Sequence, residues 1–159
     1  MIPYQYNDGG RKSARFKGEG GDCVVRAIAI AAELPYSHVW HQINDNNEYL
    51  VATSRKKKVM MSKIFTNNSR PENGAFKESY HDYILSLGFE WVPTMAIGTG
   101  CKMHLRSGEL PMGRLIARVS KHLCAVIDGV LHDNHDSSRN GKRCVYGYYI
   151  KTATPTEGK

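Results

Sequence analysis

Cys23 follows Gly20, Gly21 and Asp22 and opens a run, Val24 to Ala32, in which Arg26 is the one charged residue. Aspartate is favoured just before a helix because its carboxylate accepts free backbone N–H groups of the first turn. The pattern predicts a helix from Asp22 to about Leu34, ending before Pro35, with Cys23 in its first turn. There the helix dipole and unpaired amides favour negative charge. A thiol so placed has a lowered pKa and is available as a thiolate at neutral pH. A helix apolar nearly all round is a buried one, so the cysteine stands where a central helix meets the surface.

A thiolate nucleophile needs a base, usually histidine, and the histidine needs an acceptor to orient it. The chain holds seven histidines, and turn geometry selects among them. Asp128-Gly129, flanked by His122 to Ile127 and by Val130 onward, is a strong signal for a two-residue hairpin. With Ile127 opposite Val130, Cys124 falls opposite Asp133 and His122 opposite His135. His122 and Asp133 then share a face as diagonal neighbours, within reach of each other. Asn134 falls on the other face. Cys124 shares the face of His122 and is read as a core filler, and Cys101 and Cys144 as structural.

The elements that must position these residues are read in chain order. Residues 1–22, with Asn7-Asp8-Gly9-Gly10 and Gly18 to Gly21, form an irregular lead-in. A second helix begins near Pro35, with Tyr36, Val39, Trp40 and Ile43 on one face; Asn44 to Asn47 weaken it before Tyr49 resumes it. Residues 54–75 read as an ill-defined loop region. A third helix spans Phe76 to Leu87 and stops at Gly88, where a glycine terminates helices well. Short strands follow at 89–92, 113–120, 122–127, from 130, and at 143–150. Helices first and an antiparallel sheet afterwards make an α+β fold. The whole of 1–159 is expected to be one domain, with 152–159 a disordered tail.

The bounds agree with a single globular domain: 159 residues, 41% hydrophobic and 23% charged. No apolar span long enough for a membrane helix and no signal-peptide layout are seen. A cytoplasmic protein is therefore expected, with its four cysteines as free thiols. The net charge of +7 gives general attraction to acidic partners or nucleic acid. Arg55, Lys56, Lys57 and Lys58 form the one dense basic block, read as a solvated segment or as contacts for such partners.

Gly21-Asp22-Cys23 with its apolar helix, and Lys121-His122-Leu123-Cys124-Ala125-Val126-Ile127-Asp128-Gly129 with His132-Asp133, resemble the papain-like cysteine peptidase superfamily. Small papain-like proteins of phages and bacteria are similar. The resemblance implies a buried central helix carrying the cysteine, packed on a C-terminal antiparallel sheet. It also implies Cys23 as nucleophile, His122 as general base and acid, and Asp133 as orienter. The expected activity is that of a thiol hydrolase or acyl-transfer enzyme (peptidase, isopeptidase or amidase) on a protein or peptide substrate, a host protein in the case of a phage. No cofactor or metal is required. Papain-like enzymes carry a glutamine six positions before the cysteine to help hold the oxyanion; Lys17 stands there. The backbone N–H of Cys23, with Lys17, Gln5 or Asn7, is the alternative oxyanion-holding set.

Two other readings use the same residues. A non-enzymatic basic module would bind nucleic acid or an acidic protein on an inactive papain-like scaffold, with steep salt dependence. A zinc site would draw on Cys101 and His104, with His132 and His135, though structural zinc sites present tighter paired ligands.

Overall fold

The computed structural model describes residues 1–16, 22–53 and 77–152. Helix α1 (Cys23–Ala32) is buried from Val24 through Ala31, as its composition requires. Glu33 turns into the left-handed region at φ 56°, so the helix ends at Ala32, before the influence of Pro35. Its N-terminus departs from expectation. Asp22 is the residue before the helix, but its carboxylate makes no capping bond to the first turn. It is fully buried and turned toward Arg26, Arg11 and Tyr36 instead.

Helix α2 (Tyr36–Thr53) runs unbroken through Asn44 to Asn47. The asparagines are accommodated by hydrogen bonds: Asn44 Nδ2 donates to the Trp40 carbonyl at 2.7 Å, and Asn46 Nδ2 to the Ser79 carbonyl at 2.9 Å. The latter ties α2 to helix α3 (Lys77–Ser86), whose Tyr80 and Ile84 are buried. Gly88 stands just beyond at φ 90°, a conformation that costs a glycine little. Phe76, expected to open α3, lies outside the described residues.

The strands are β1 (Tyr4–Tyr6), β2 (Phe89–Pro93), β3 (Arg114–Val119), β4 (His122–Ile127), β5 (Val130–Asp133) and β6 (Gly147–Lys151). They form one open six-stranded sheet in the order β1-β5-β4-β3-β6-β2. Ile127 pairs with Val130, Val126 with Leu131 and Ala125 with His132, the register expected of the Asp128-Gly129 turn. The sheet is mixed, not purely antiparallel, because β1 adds to β5 in parallel through Tyr4–Leu131, Gln5–His132 and Tyr6–Asp133. The lead-in thus contains a strand. Short, with all three residues exposed, it carries no alternating apolar pattern that a sequence could show. At the other end Thr152 is held by Gly88; residues 153–159 of the expected tail lie outside the described residues.

Alternation along the strands divides the apolar side chains between two cores. Ile116, Leu123, Ala125 and Tyr149 face the helices and pack with α1, α2 and α3. Leu115, Ala117, Cys124, Val126 and Leu131 face the other way and are covered by Leu105, Leu110 and Val145 of the long connections. Those connections are joined by a Cys101–Cys144 disulfide with Cα atoms 5.9 Å apart. The expectation of four free thiols is corrected accordingly: Cys23 and Cys124 are free, the other two paired. Sequence separation of 43 residues hid a juxtaposition that the backbone pairing of His104 with Cys144 creates.

Candidate active site

The N-terminus of α1 meets the turn between β3 and β4 at a cleft of about 500 Å³. Cys23, Tyr80, Arg118, Lys121, His122 and Tyr146 are among its lining residues. Cys23 is half-buried there. Burial pushes its thiol up, but hydrogen bonding with His122, the charge of that ring and the backbone N–H of Leu123 outweigh it. The thiol is held below its ordinary value.

His122 Nε2 lies 2.6 Å from Asp133 Oδ2. Burial lowers the ring's affinity for a proton; the Asp133 hydrogen bond and charge, with Cys23, reverse this and raise it to about 9. With Nε2 engaged, Nδ1 is the ring nitrogen left for Cys23. Asp133 is 1% exposed and fully satisfied. Its Oδ2 also accepts from the Ser137 hydroxyl at 3.0 Å. Oδ1 accepts from Arg26 Nε and from the Asn134 N–H, at 2.9 and 2.8 Å. Burial raises the Asp133 carboxyl, yet the His122 hydrogen bond and the Arg26 charge hold it below the usual range.

Arg26 is a residue whose role the pattern did not reveal. It is 3% exposed and bridges two buried carboxylates, Asp22 Oδ1 at 2.6 Å and Asp133 Oδ1 at 2.9 Å. Asp22 is further held by the Tyr36 hydroxyl, and Tyr36 accepts from Arg11 Nη1 at 2.7 Å. Asp22, just before Cys23, is thereby locked to the strand that carries Asp133. A single charge in an apolar helix, four residues after an aspartate, was the available signal.

Turning the Asp22 carboxylate inward has a second effect. Among the described residues, Asp22 gives the first-turn N–H groups of α1 no side-chain cap. A helix N-terminus of this kind attracts negative charge. Among the oxyanion candidates, Lys17 lies outside the described residues. Gln5 pairs with His132 on β1, and Asn7 Oδ1 accepts from the Gly9 N–H at 2.9 Å. Neither lines the cleft with Cys23.

Cys124 lies in the second core, where burial pushes its thiol up to about 12, which leaves it an unreactive filler. The expected zinc ligands do not assemble: Cys101 is bound in the disulfide, and His132 lies beside Asn7 on the β1 side. Among the described residues, the side chains that converge as metal ligands are His122, Asp133 and His135, with ligand atoms within 4.8 Å of one another. Arg55 to Lys58 lie outside the described residues. No helix among the described residues is long and apolar enough to cross a membrane. No protein-family model, curated protein or solved structure matches the chain.

Proposed function

We propose that the chain is a papain-like thiol enzyme that cleaves or transfers an acyl group from a peptide, isopeptide or amide. The observation that carries this reading is Cys23, at a helix N-terminus, sharing one cleft with a histidine bonded to Asp133 at 2.6 Å. The Cys23 thiolate adds to the carbonyl carbon, and the oxyanion so formed is met by first-turn amides of α1, which the Asp22 side chain does not cap. The His122 imidazolium protonates the leaving nitrogen as the C–N bond breaks, leaving a thioester. Neutral His122 then takes a proton from water or another acceptor nucleophile, which attacks the thioester. The C–S bond breaks, the acyl product leaves, and the thiolate–imidazolium pair is restored. Asp133 keeps the ring in one tautomer and orientation throughout.

The test is the pH dependence of iodoacetamide alkylation at Cys23 in the wild type and in His122→Ala. The wild type is expected to react at pH values well below the range of an ordinary thiol, and His122→Ala to return the profile to that range. A Cys23 that titrates as an ordinary thiol and ignores His122 refutes the mechanism.

A second reading has its own observation, the convergence of His122, Asp133 and His135. A divalent metal there would replace the His122–Asp133 hydrogen bond with coordination. Stoichiometric zinc binding by the purified chain, abolished in His135→Gln while Cys23 alkylation is unaltered, would favour it. A basic binding module is distinguished from both by nucleic-acid affinity that falls steeply with salt.

A further inference from the structure

Arg118 and Arg114 lie four residues apart on β3, at positions of the same parity, on the face that carries α1. Arg114 is used structurally: its Nε and Nη2 donate to the carbonyls of Ala31 and Ile30 at 2.7 and 2.6 Å, closing the C-terminal end of α1. Its partner at the opposite end of the strand stands beside the N-terminus of the same helix and lines the cleft with Cys23. Arg118 is half-buried, and among the described residues its guanidinium has neither an ion pair nor a hydrogen bond. Its charge is felt at the Tyr80 hydroxyl, where burial raises the phenol and Arg118 opposes it. Cys23 acts on the same hydroxyl. Guanidinium, phenol and thiol therefore share one space.

The other charges around that space are of known sign. Lys121, on the turn between β3 and β4, and the His122 ring are cationic; Glu78 of α3 is the acidic group that reaches Tyr80. A planar guanidinium offers parallel N–H donors that match a carboxylate. Left half-buried without one, it is a binding group waiting for an anion of that shape.

We propose that Arg118 makes this cleft a receptor for a carboxylate, so that the amide presented to Cys23 is flanked by an acidic group. The inference rests on the thiol-enzyme reading for the reaction, while the anion site itself stands on Arg118 and the cleft. It assigns a substrate class, an acidic residue beside the scissile bond.

Iodoacetate and iodoacetamide are near-isosteric probes that differ by a carboxylate. At pH 7 and low salt, the ratio of their rates at Cys23 is expected to favour iodoacetate and to fall about tenfold in Arg118→Gln, as loss of a cation lining the same cleft implies. Arg118→Lys is expected to retain most of the preference, and the ratio cancels any change in the thiolate that both probes share. An unchanged ratio in Arg118→Gln with brisk iodoacetamide alkylation overturns the anion site and leaves the thiol mechanism standing. A slow, ordinary iodoacetamide reaction in the wild type refutes the mechanism instead. The anion site is then judged on binding alone, from the Arg118 side-chain N–H resonance on titration with the α-amide of N-acetylaspartic acid, N-acetylalanine and N-acetylasparaginamide. Perturbation by the N-acetylaspartic acid α-amide assigns a side-chain carboxylate, by N-acetylalanine a chain-terminal one, and by all three alike or none refutes the site.

Discussion

At the scale of single residues, the site is a chain of proton affinities set by neighbours. Cys23 is held low, His122 is raised to about 9 and Asp133 is held low, so charge is favoured on all three. Activity on an amide substrate is expected to rise as the Cys23–His122 pair ionises and to fall as pH climbs through about 9, where His122 loses the proton that the leaving nitrogen needs. The same shift has a stability consequence. His122 is raised in the folded chain, so its contribution is complete below its unfolded value near 6.5 and is lost as pH rises through about 9. Melting temperature measured from pH 6 to 10 is expected to decline over that window in the wild type and to decline less in His122→Gln.

At the scale of elements, Arg26 fastens α1 to β5 by holding Asp22 and Asp133 at once. Replacing it with methionine keeps the apolar stem but takes from two buried carboxylates the cation they share. Breaking a buried pair in this way costs about 3–5 kcal/mol. Arg26→Met is expected to lose that much in denaturant unfolding and, where it stays folded, to shift the alkylation profile of Cys23 toward higher pH. Normal stability would show that Arg26 is dispensable to the joint. This joint was only half legible in the sequence. The helix, its buried character and the hairpin register followed from apolar periodicity and the Asp128-Gly129 turn, both of which are local. Asp22 was expected to cap its own helix, yet Arg26, Arg11 and Tyr36 compete for its carboxylate and win, because a buried charge needs countercharge more than the helix needs a side-chain cap.

At the scale of the whole molecule, the candidate site and the cross-link sit at different places on the sheet. The cleft opens where α1 meets the β3–β4 turn, whereas the Cys101–Cys144 link clasps the connections over the second core. A cross-link closing a loop of this length stabilises by about 2–4 kcal/mol. Cys101→Ser with Cys144→Ser is expected to lower stability by that amount while leaving the iodoacetamide rate at Cys23 unchanged. A parallel loss of Cys23 reactivity would show the cross-link and the cleft to be coupled.

What the sequence by itself determined is whatever depends on near neighbours: a buried helix opened by Cys23, the two-residue turn, and the shared face of His122 and Asp133. The tertiary structure alone decided the parallel β1, the disulfide, the inward turn of Asp22, the bridge through Arg26 and the placing of Arg118 beside Cys23. Each of these joins residues far apart in the chain, where the favourable energy lies in desolvated charge or paired backbone and leaves no periodic trace. His122 and Asp133 could be brought together on paper because a hairpin makes distance in space nearly a function of distance in sequence. Cys23, some hundred residues earlier, reaches them only when the sheet and helix have packed.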